Sequence, residues 1–126
     1  MTNLEQLRAR YAQLFWSQPR QKTQLNGDEC ARKLAALVAK NGLLAAVAYA
    51  KAQSVNDRPS LDEEIMCETG RFMTSKDRNL LPFPVHQIDD LLRGLANNST
   101  QILQQATAET LHYLAYLIRL APQSTK

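Results

Sequence analysis

The sequence predicts an all-α protein, a compact bundle of about five to six helices. The chain has 126 residues, of which 44% are hydrophobic and 21% are charged, a balance typical of one soluble globular domain. Only four glycines and five prolines interrupt it, and β-branched residues are sparse, so helices are favoured over strands. Because no linker, internal repeat or low-complexity tract divides the chain, we expect a single domain over residues 1–126.

The first helix is predicted to begin near Leu4 and to end before Pro19, which cannot continue it. Thr2 and Glu5 match a capping box, in which the Thr2 hydroxyl accepts from the Glu5 amide and the Glu5 side chain accepts from the Thr2 N–H. Trp16, the only tryptophan, is expected in the core or at an interface, with base stacking as the alternative. The apolar face of this helix is predicted to contain Leu4, Leu7, Tyr11, Leu14 and Phe15.

The stretch over residues 28–53 predicts two alanine-rich helices joined by a tight break. Asn41 and Gly42 form the break, because glycine adopts positive φ without steric cost and so ends a helix. Asp28 or Asn26 is suited to cap the first of these helices. Its apolar face is predicted to contain Ala31, Leu34, Ala35, Leu37 and Val38.

A second capping box marks the start of the next helix, where Ser60 is followed by Glu63. Acidic residues in its first turns suit the positive end of the helix dipole. The alternative, a divalent-metal site, lacks a second acidic or histidine cluster at a matching spacing. The acidic set comprises Asp62, Glu63, Glu64 and Glu68. The buried side of the helix is predicted to contain Leu61, Ile65, Thr69, Phe72 and Met73.

Two further helices complete the predicted bundle, a short one over residues 88–95 and the longest one over about residues 100–120. Ser99 or Asn98 is suited to cap the long helix, and Pro122 stops it. Loops are predicted over residues 20–27, 54–59 and 74–84, and a frayed tail over residues 123–126.

The residues that carry enzyme chemistry are not grouped in this sequence. The glycines are isolated, which excludes a phosphate-binding loop. His86 and His112 lie far apart, and neither has the spacing of a metal motif or a catalytic triad. Cys30 and Cys67 are expected to be buried or half-buried thiols in a reducing cytoplasm. We therefore expect no catalytic residue, no metal and no cofactor; a small helical enzyme with a closed pocket beside one histidine is the alternative.

No apolar run reaches membrane-spanning length, and the first residues lack the apolar core of a signal peptide. Charge is distributed unevenly along the chain. Residues 1–60 carry nine Lys/Arg against four Asp/Glu, whereas residues 61–126 carry six against eight. A basic first half on a helical scaffold indicates a surface for a polyanion, and the alternative is ordinary solvated surface charge.

The cations of this basic half are the candidate binding residues. Lys33 and Lys40 are seven positions apart and so project from one side of the same helix. Such side chains contact phosphates without reading bases. The predicted phosphate-binding set is Lys33, Lys40, Arg32, Lys51, Arg8, Arg10, Arg20 and Lys22.

Two segments of the chain resemble a known family. Residues 33–49, KLAALVAKNGLLAAVAY, are followed by Lys51, and residues 109–119 read ETLHYLAYLIR. An apolar helix, an Asn-Gly-Leu break, a small-residue helix and a final leucine-rich helix with a basic end are similar to the small helical subunit of type III-B CRISPR (Cmr) RNA-guided effector complexes.

The resemblance implies a non-catalytic, cytoplasmic subunit for antiviral defence. Copies would stack along the effector filament with the other Cmr-complex subunits and with one another. They would help hold guide and target RNA through sequence-independent phosphate contacts, since base pairing does the reading. Two alternatives stay open: a helical protein–protein adaptor without a nucleic-acid role, and the small subunit of a type III-A complex.

Overall fold

The computed structural model describes residues 3–22, 24, 26–56 and 58–122, and over these residues the protein is all-α. The predicted fold class is confirmed. The described residues form no strand; Val55 and Arg58 make only an isolated β-bridge. The helices are α1 (Leu4–Ser17), α2 (Pro19–Lys22), α3 (Gly27–Asn41), α4 (Leu43–Ala52), α5 (Leu61–Thr74), α6 (Ile88–Ala96) and α7 (Thr100–Leu120).

The described residues contain one more helix than the upper end of the predicted range. The additional helix is α2, which lies at the start of the predicted 20–27 loop and begins at Pro19. Proline is tolerated there because the first residue of a helix needs no N–H partner within the helix. None of the described helices is long and apolar enough to cross a membrane.

Helix α7 is the centre of the bundle, with α3 and α1 packed most extensively against it. Three aromatic rings connect α1, α5 and α7 in the core. The rings of Phe72 and Tyr113 stack with centroids 4.7 Å apart, and Tyr11 meets the edge of Phe72 at 5.1 Å. Such pairs add to the stabilisation that burial provides. Packing against α7 therefore fixes the directions of α1 and α3, which carry five of the eight candidate side chains.

Trp16 is also part of this core, as predicted. Its side chain is buried, and its indole N–H donates to the main-chain oxygen of Leu117 at 3.0 Å. Leu14, predicted on the apolar face of α1, is instead 56% exposed. Successive helix residues are about 100° apart, so burying Phe15 and Trp16 turns Leu14 toward solvent. Leu4, also predicted to be apolar-facing, is exposed for 42% of its surface.

Polar side chains begin several helices. Asn3 caps α1 by accepting from the amide of Glu5 at 2.7 Å; the capping role predicted for Thr2 lies outside the described residues. At the start of α5, the Ser60 hydroxyl accepts from the Glu63 amide at 3.1 Å, as predicted. The reciprocal contact runs through Ser54, which accepts from the Ser60 amide and donates to the Glu63 carboxylate.

The predicted cap of α7 is confirmed, whereas the side-chain cap predicted for α3 is not formed. Ser99 caps α7 by accepting from the amide of Ile102 at 3.1 Å. Asn26 lies at the cap position of α3 in a left-handed conformation, without a side-chain capping bond. Gly42 separates α3 from α4 with a φ of 95°, which confirms the predicted glycine break. The tail predicted over residues 123–126 lies outside the described residues.

Candidate nucleic-acid interface

The eight predicted cations are distributed over four helices and differ in whether a carboxylate already pairs with them. Arg8 and Arg10 lie on α1, and Arg20 and Lys22 on α2. The other four lie on the α3–α4 pair, at Arg32, Lys33, Lys40 and Lys51. A cation that is exposed and unpaired can meet a phosphate at the lowest cost, because no internal contact must first break.

Lys33 and Lys51 are half-exposed and connect helices. The Lys33 ammonium lies 3.2 Å from the Asp62 carboxylate of α5 and 5.2 Å from the centre of the Tyr49 ring. Burial opposes its charge, but interactions with Tyr49 and Asp62 outweigh that effect and raise the pKa of Lys33. Lys51 pairs with Asp89 of α6. Both cations therefore contribute to packing, and their charge is partly neutralised.

Arg20 and Arg32 are exposed arginines that each pair with one carboxylate. A guanidinium nitrogen of Arg20 lies 2.9 Å from the Glu64 carboxylate, and that of Arg32 lies 4.0 Å from Asp28 one turn away. Each arginine side chain keeps 65% of its surface exposed. The Arg32–Asp28 pair is exposed on both sides, and such pairs contribute only about 0–1 kcal/mol, so a phosphate can compete for Arg32. The Glu64 side chain is only 16% exposed, so the Arg20 pair is partly shielded from water.

Arg10, Lys22 and Lys40 are exposed and form no ion pair with a described residue. Lys40 lies in the last turn of α3, where the helix dipole favours a cation. Lys33 is also exposed and lies on the same side of α3, so both lysines occupy the helix side that their spacing predicted. Lys40 is the cation of that pair that is available without breaking a contact.

Arg8, predicted as an exposed phosphate-binding cation, is instead largely buried. Its side chain is only 12% exposed, and its Nε lies 2.6 Å from the carboxylate of Glu109, which is itself buried. Arg78, outside the predicted set, reaches the same carboxylate at 2.7 Å. A sequence signal was available, because Glu109 falls within the apolar stripe of α7 that includes Ala106 and Tyr113. A buried carboxylate there requires a cationic partner.

Further exposed cations lie outside the predicted set, most of them in the second half of the chain. Four exposed side chains form no ion pair with a described residue. They are Arg58 of the first half and Lys76, Arg93 and Arg119 of the second. Because several first-half cations are neutralised internally, the free positive charge is less concentrated in the first half than the sequence indicates.

His86 lines a hollow together with several carboxylates and Cys67, the arrangement that would suit a small enzyme. Those carboxylates already have partners. Glu63 accepts from Ser54, Glu64 pairs with Arg20, and Glu68 lies 3.7 Å from Arg71. Among the described residues, no group of three or more His, Cys, Asp or Glu side chains is placed to hold a metal ion.

Comparison with known families gives a match over almost the whole chain. A family model described as "CRISPR-associated protein (Cas_Cmr5)" matches residues 4–123. Comparisons with curated proteins and with solved structures find no match. The family match includes both segments that carry the resemblance, residues 33–49 and 109–119, and extends across the residues between them. The chain therefore belongs to the Cas_Cmr5 family of CRISPR-associated proteins.

Proposed function

We propose that this protein is a non-catalytic structural subunit of a type III-B CRISPR effector complex, active in cytoplasmic antiviral defence. Copies of the chain stack along the filament beside the other Cmr-complex subunits. They help hold guide and target RNA through sequence-independent phosphate contacts. The family match supports the assignment to a Cmr complex. The observation that carries the RNA-holding role is the exposed Lys40, which forms no ion pair with a described residue and lies on the same side of α3 as Lys33.

The kind of contact follows from the kind of side chain. A lysine ammonium is a compact point charge that binds a phosphate without recognising a base. In an RNA-guided complex, base pairing between guide and target already provides sequence recognition. A subunit that must accept every guide therefore needs contacts of this type. Arg10 and Lys22 likewise form no ion pair with a described residue, and Arg32 is held only by an exposed ion pair.

The non-catalytic part of the proposal rests on how the titratable groups are used. The carboxylates beside His86 are engaged by Ser54, Arg20 and Arg71. The Cys30 thiol donates to the Asp62 carboxylate at 3.1 Å, and burial together with that carboxylate raises the pKa of Cys30 to about 12. A thiol with so high a pKa is a poor nucleophile at neutral pH.

Stacking requires surfaces on which another chain can lie closely. Exposed alanines surround the α3–α4 corner, where short side chains permit near approach of a second backbone. They are Ala36, Ala39, Ala45 and Ala48. The exposed apolar side chains Leu4 and Leu14 on α1 offer further contact area.

The proposal is tested by purifying the tagged chain from its native host and identifying the bound proteins and RNA. We expect the other Cmr subunits together with guide RNA. A type III-A assignment would be indicated by recovery of type III-A subunits instead. Recovery of protein partners without RNA, both before and after gentle salt washing, would favour the adaptor alternative and contradict the RNA-holding role.

A further inference from the structure

We propose that Arg8 and Arg78, oriented by Glu109 and flanked by Gln105 and His112, bind a phosphate of the RNA backbone. These side chains line one open hollow between α1, α7 and the segment that follows α5, hereafter the Arg8 hollow. The inference rests on the proposed function and extends it, since Arg78, Gln105 and His112 lie outside the set of cations predicted from the sequence.

Glu109 holds the two guanidinium groups in place. One of its carboxylate oxygens accepts from Arg8 Nε at 2.6 Å, and the other accepts from Arg8 Nη2 at 3.0 Å and from Arg78 Nε at 2.7 Å. The Glu109 side chain is 1% exposed, whereas those of Arg8 and Arg78 are 12% and 21% exposed. The carboxylate therefore forms the buried base, and the guanidinium groups lie between it and solvent.

This arrangement leaves both charge and hydrogen-bond donors unsatisfied. Two cations face one anion, so the group carries a net positive charge. Each guanidinium has five N–H groups, and Glu109 accepts from only part of them. Charge-assisted hydrogen bonds from arginine to phosphate are about twice as strong as neutral ones, and partial burial strengthens them further.

Helix α7 supplies further donors to the Arg8 hollow. Gln105 and His112 are exposed and line it on either side of Glu109 along the helix. An amide and an imidazole can each donate to a phosphate oxygen. The hollow has a volume of about 410 Å³ and is open to solvent, so a phosphate can enter it.

The directions of these donors favour a phosphate over a carboxylate of a neighbouring subunit. Donors approach from three separate elements, namely α1, α7 and the segment containing Arg78. A tetrahedral phosphate presents oxygens in several directions, whereas a carboxylate presents two oxygens in one plane. Donors carried by separate elements therefore suit a tetrahedral phosphate, and the guanidinium fork suits its oxygens.

The test adds one negative charge to the hollow while leaving the Arg8–Glu109–Arg78 group intact. Gln105→Glu places the charge in the Arg8 hollow, and Gln104→Glu is the matched control because Gln104 is exposed one residue away but does not line it. Each variant is assembled into the full effector complex, and retention of guide and target RNA is measured from low to high NaCl. We expect Gln105→Glu to lower retention several-fold and to reduce the salt slope by about one, and Gln104→Glu to match the wild type.

A second variant, Arg78→Lys, keeps a cation near Glu109 but removes the fork, and we expect it also to lower RNA retention several-fold. Equal retention by Gln105→Glu and Gln104→Glu would overturn the inference. So would a Gln105→Glu chain that fails to enter the complex although it folds, because the hollow would then bind protein. If the Lys33 and Lys40 variants lose RNA while Gln105→Glu behaves like Gln104→Glu, the inference about the Arg8 hollow fails and the RNA-holding function stands. If none of these variants loses RNA, the RNA-holding function itself fails.

Discussion

Arg8 and Glu109 form a two-point ion pair across 101 positions of sequence and join the first helix to the last. The two contacts measure 2.6 and 3.0 Å, and Arg78 completes the group from a third segment. A charged pair that is largely shielded from water is stable only when its geometry and remaining hydrogen bonds are good. The bundle therefore depends on one carboxylate that accepts hydrogen bonds from two guanidinium groups and offsets part of their positive charge.

Glu109→Gln is expected to destabilise the protein by about 3–5 kcal/mol, because it leaves two poorly hydrated arginines without a compensating charge. Glu68→Gln is the matched control. Its partner Arg71 is 50% exposed and 3.7 Å away, and burial raises the pKa of Glu68, so neutralising it is expected to cost little or to stabilise. The free energy of unfolding from urea titration measures both effects. Similar losses from the two variants would contradict the central role of Glu109.

The same carboxylate predicts how stability varies with pH. Burial opposes its charge, but hydrogen bonds from Arg8 and Arg78 outweigh burial and lower the pKa of Glu109 below its ordinary value of 4.5. A carboxylate whose pKa is lowered by folding contributes stability above its unfolded pKa and loses it as pH falls through the folded pKa. The difference in unfolding free energy between wild type and Glu109→Gln should therefore be constant near neutral pH and shrink below about pH 4.5.

That pH experiment is best carried out in a Glu68→Gln background, because the raised pKa of Glu68 contributes in the opposite direction. Without Glu68, its opposing contribution no longer affects the unfolding free energy of either chain at acidic pH. A difference between the two chains that stays constant down to pH 3 would show that the Glu109 charge does not supply the stability, whatever the contacts of its side chain.

Features that depend on neighbouring residues could be predicted from the sequence. The break at Gly42, the cap at Ser60 and the burial of Trp16 each follow from local chemistry or from one large apolar side chain. The ion pairs could not be predicted, because partners such as Arg8 and Glu109 meet only after the helices pack. This is why a charge count indicated a basic first half although packing neutralises part of it. The phosphate-contact assignments remain predictions.

Cys30 is expected to react slowly with iodoacetamide at pH 8, because burial and the Asp62 carboxylate raise its pKa to about 12. Asp62→Asn removes the anion that the thiol faces, so alkylation of Cys30 should become faster. Mass spectrometry of the modified peptide measures the rate, with the chain in urea giving the rate of an unprotected thiol. Wild-type Cys30 reacting as fast as it does in urea would contradict the prediction.

Gly27→Ala is expected to destabilise the protein by about 1–3 kcal/mol through overpacking. A Cβ at this first residue of α3 would lie 2.7 Å from Cη2 of the Trp16 ring, which is fixed by its hydrogen bond to Leu117. Since Trp16 is the only tryptophan, its fluorescence reports the displacement directly, and we expect a shift toward longer wavelength. An unchanged spectrum with unchanged stability would show that the ring has room to move.

The most direct test of the RNA-holding role is the salt dependence of RNA retention in assembled complexes that carry Lys33→Ala and Lys40→Ala together. Lys76→Ala is the matched control, because Lys76 is an exposed lysine outside the predicted set that pairs with no carboxylate of the described residues. Lys33→Ala removes the ion-pair partner of Asp62, so we expect the double variant to lose some stability but still to fold and assemble. We expect its salt slope to fall by about one for each lost phosphate contact. A slope equal to that of the wild type, or a fall no larger than that of Lys76→Ala, would contradict the assignment.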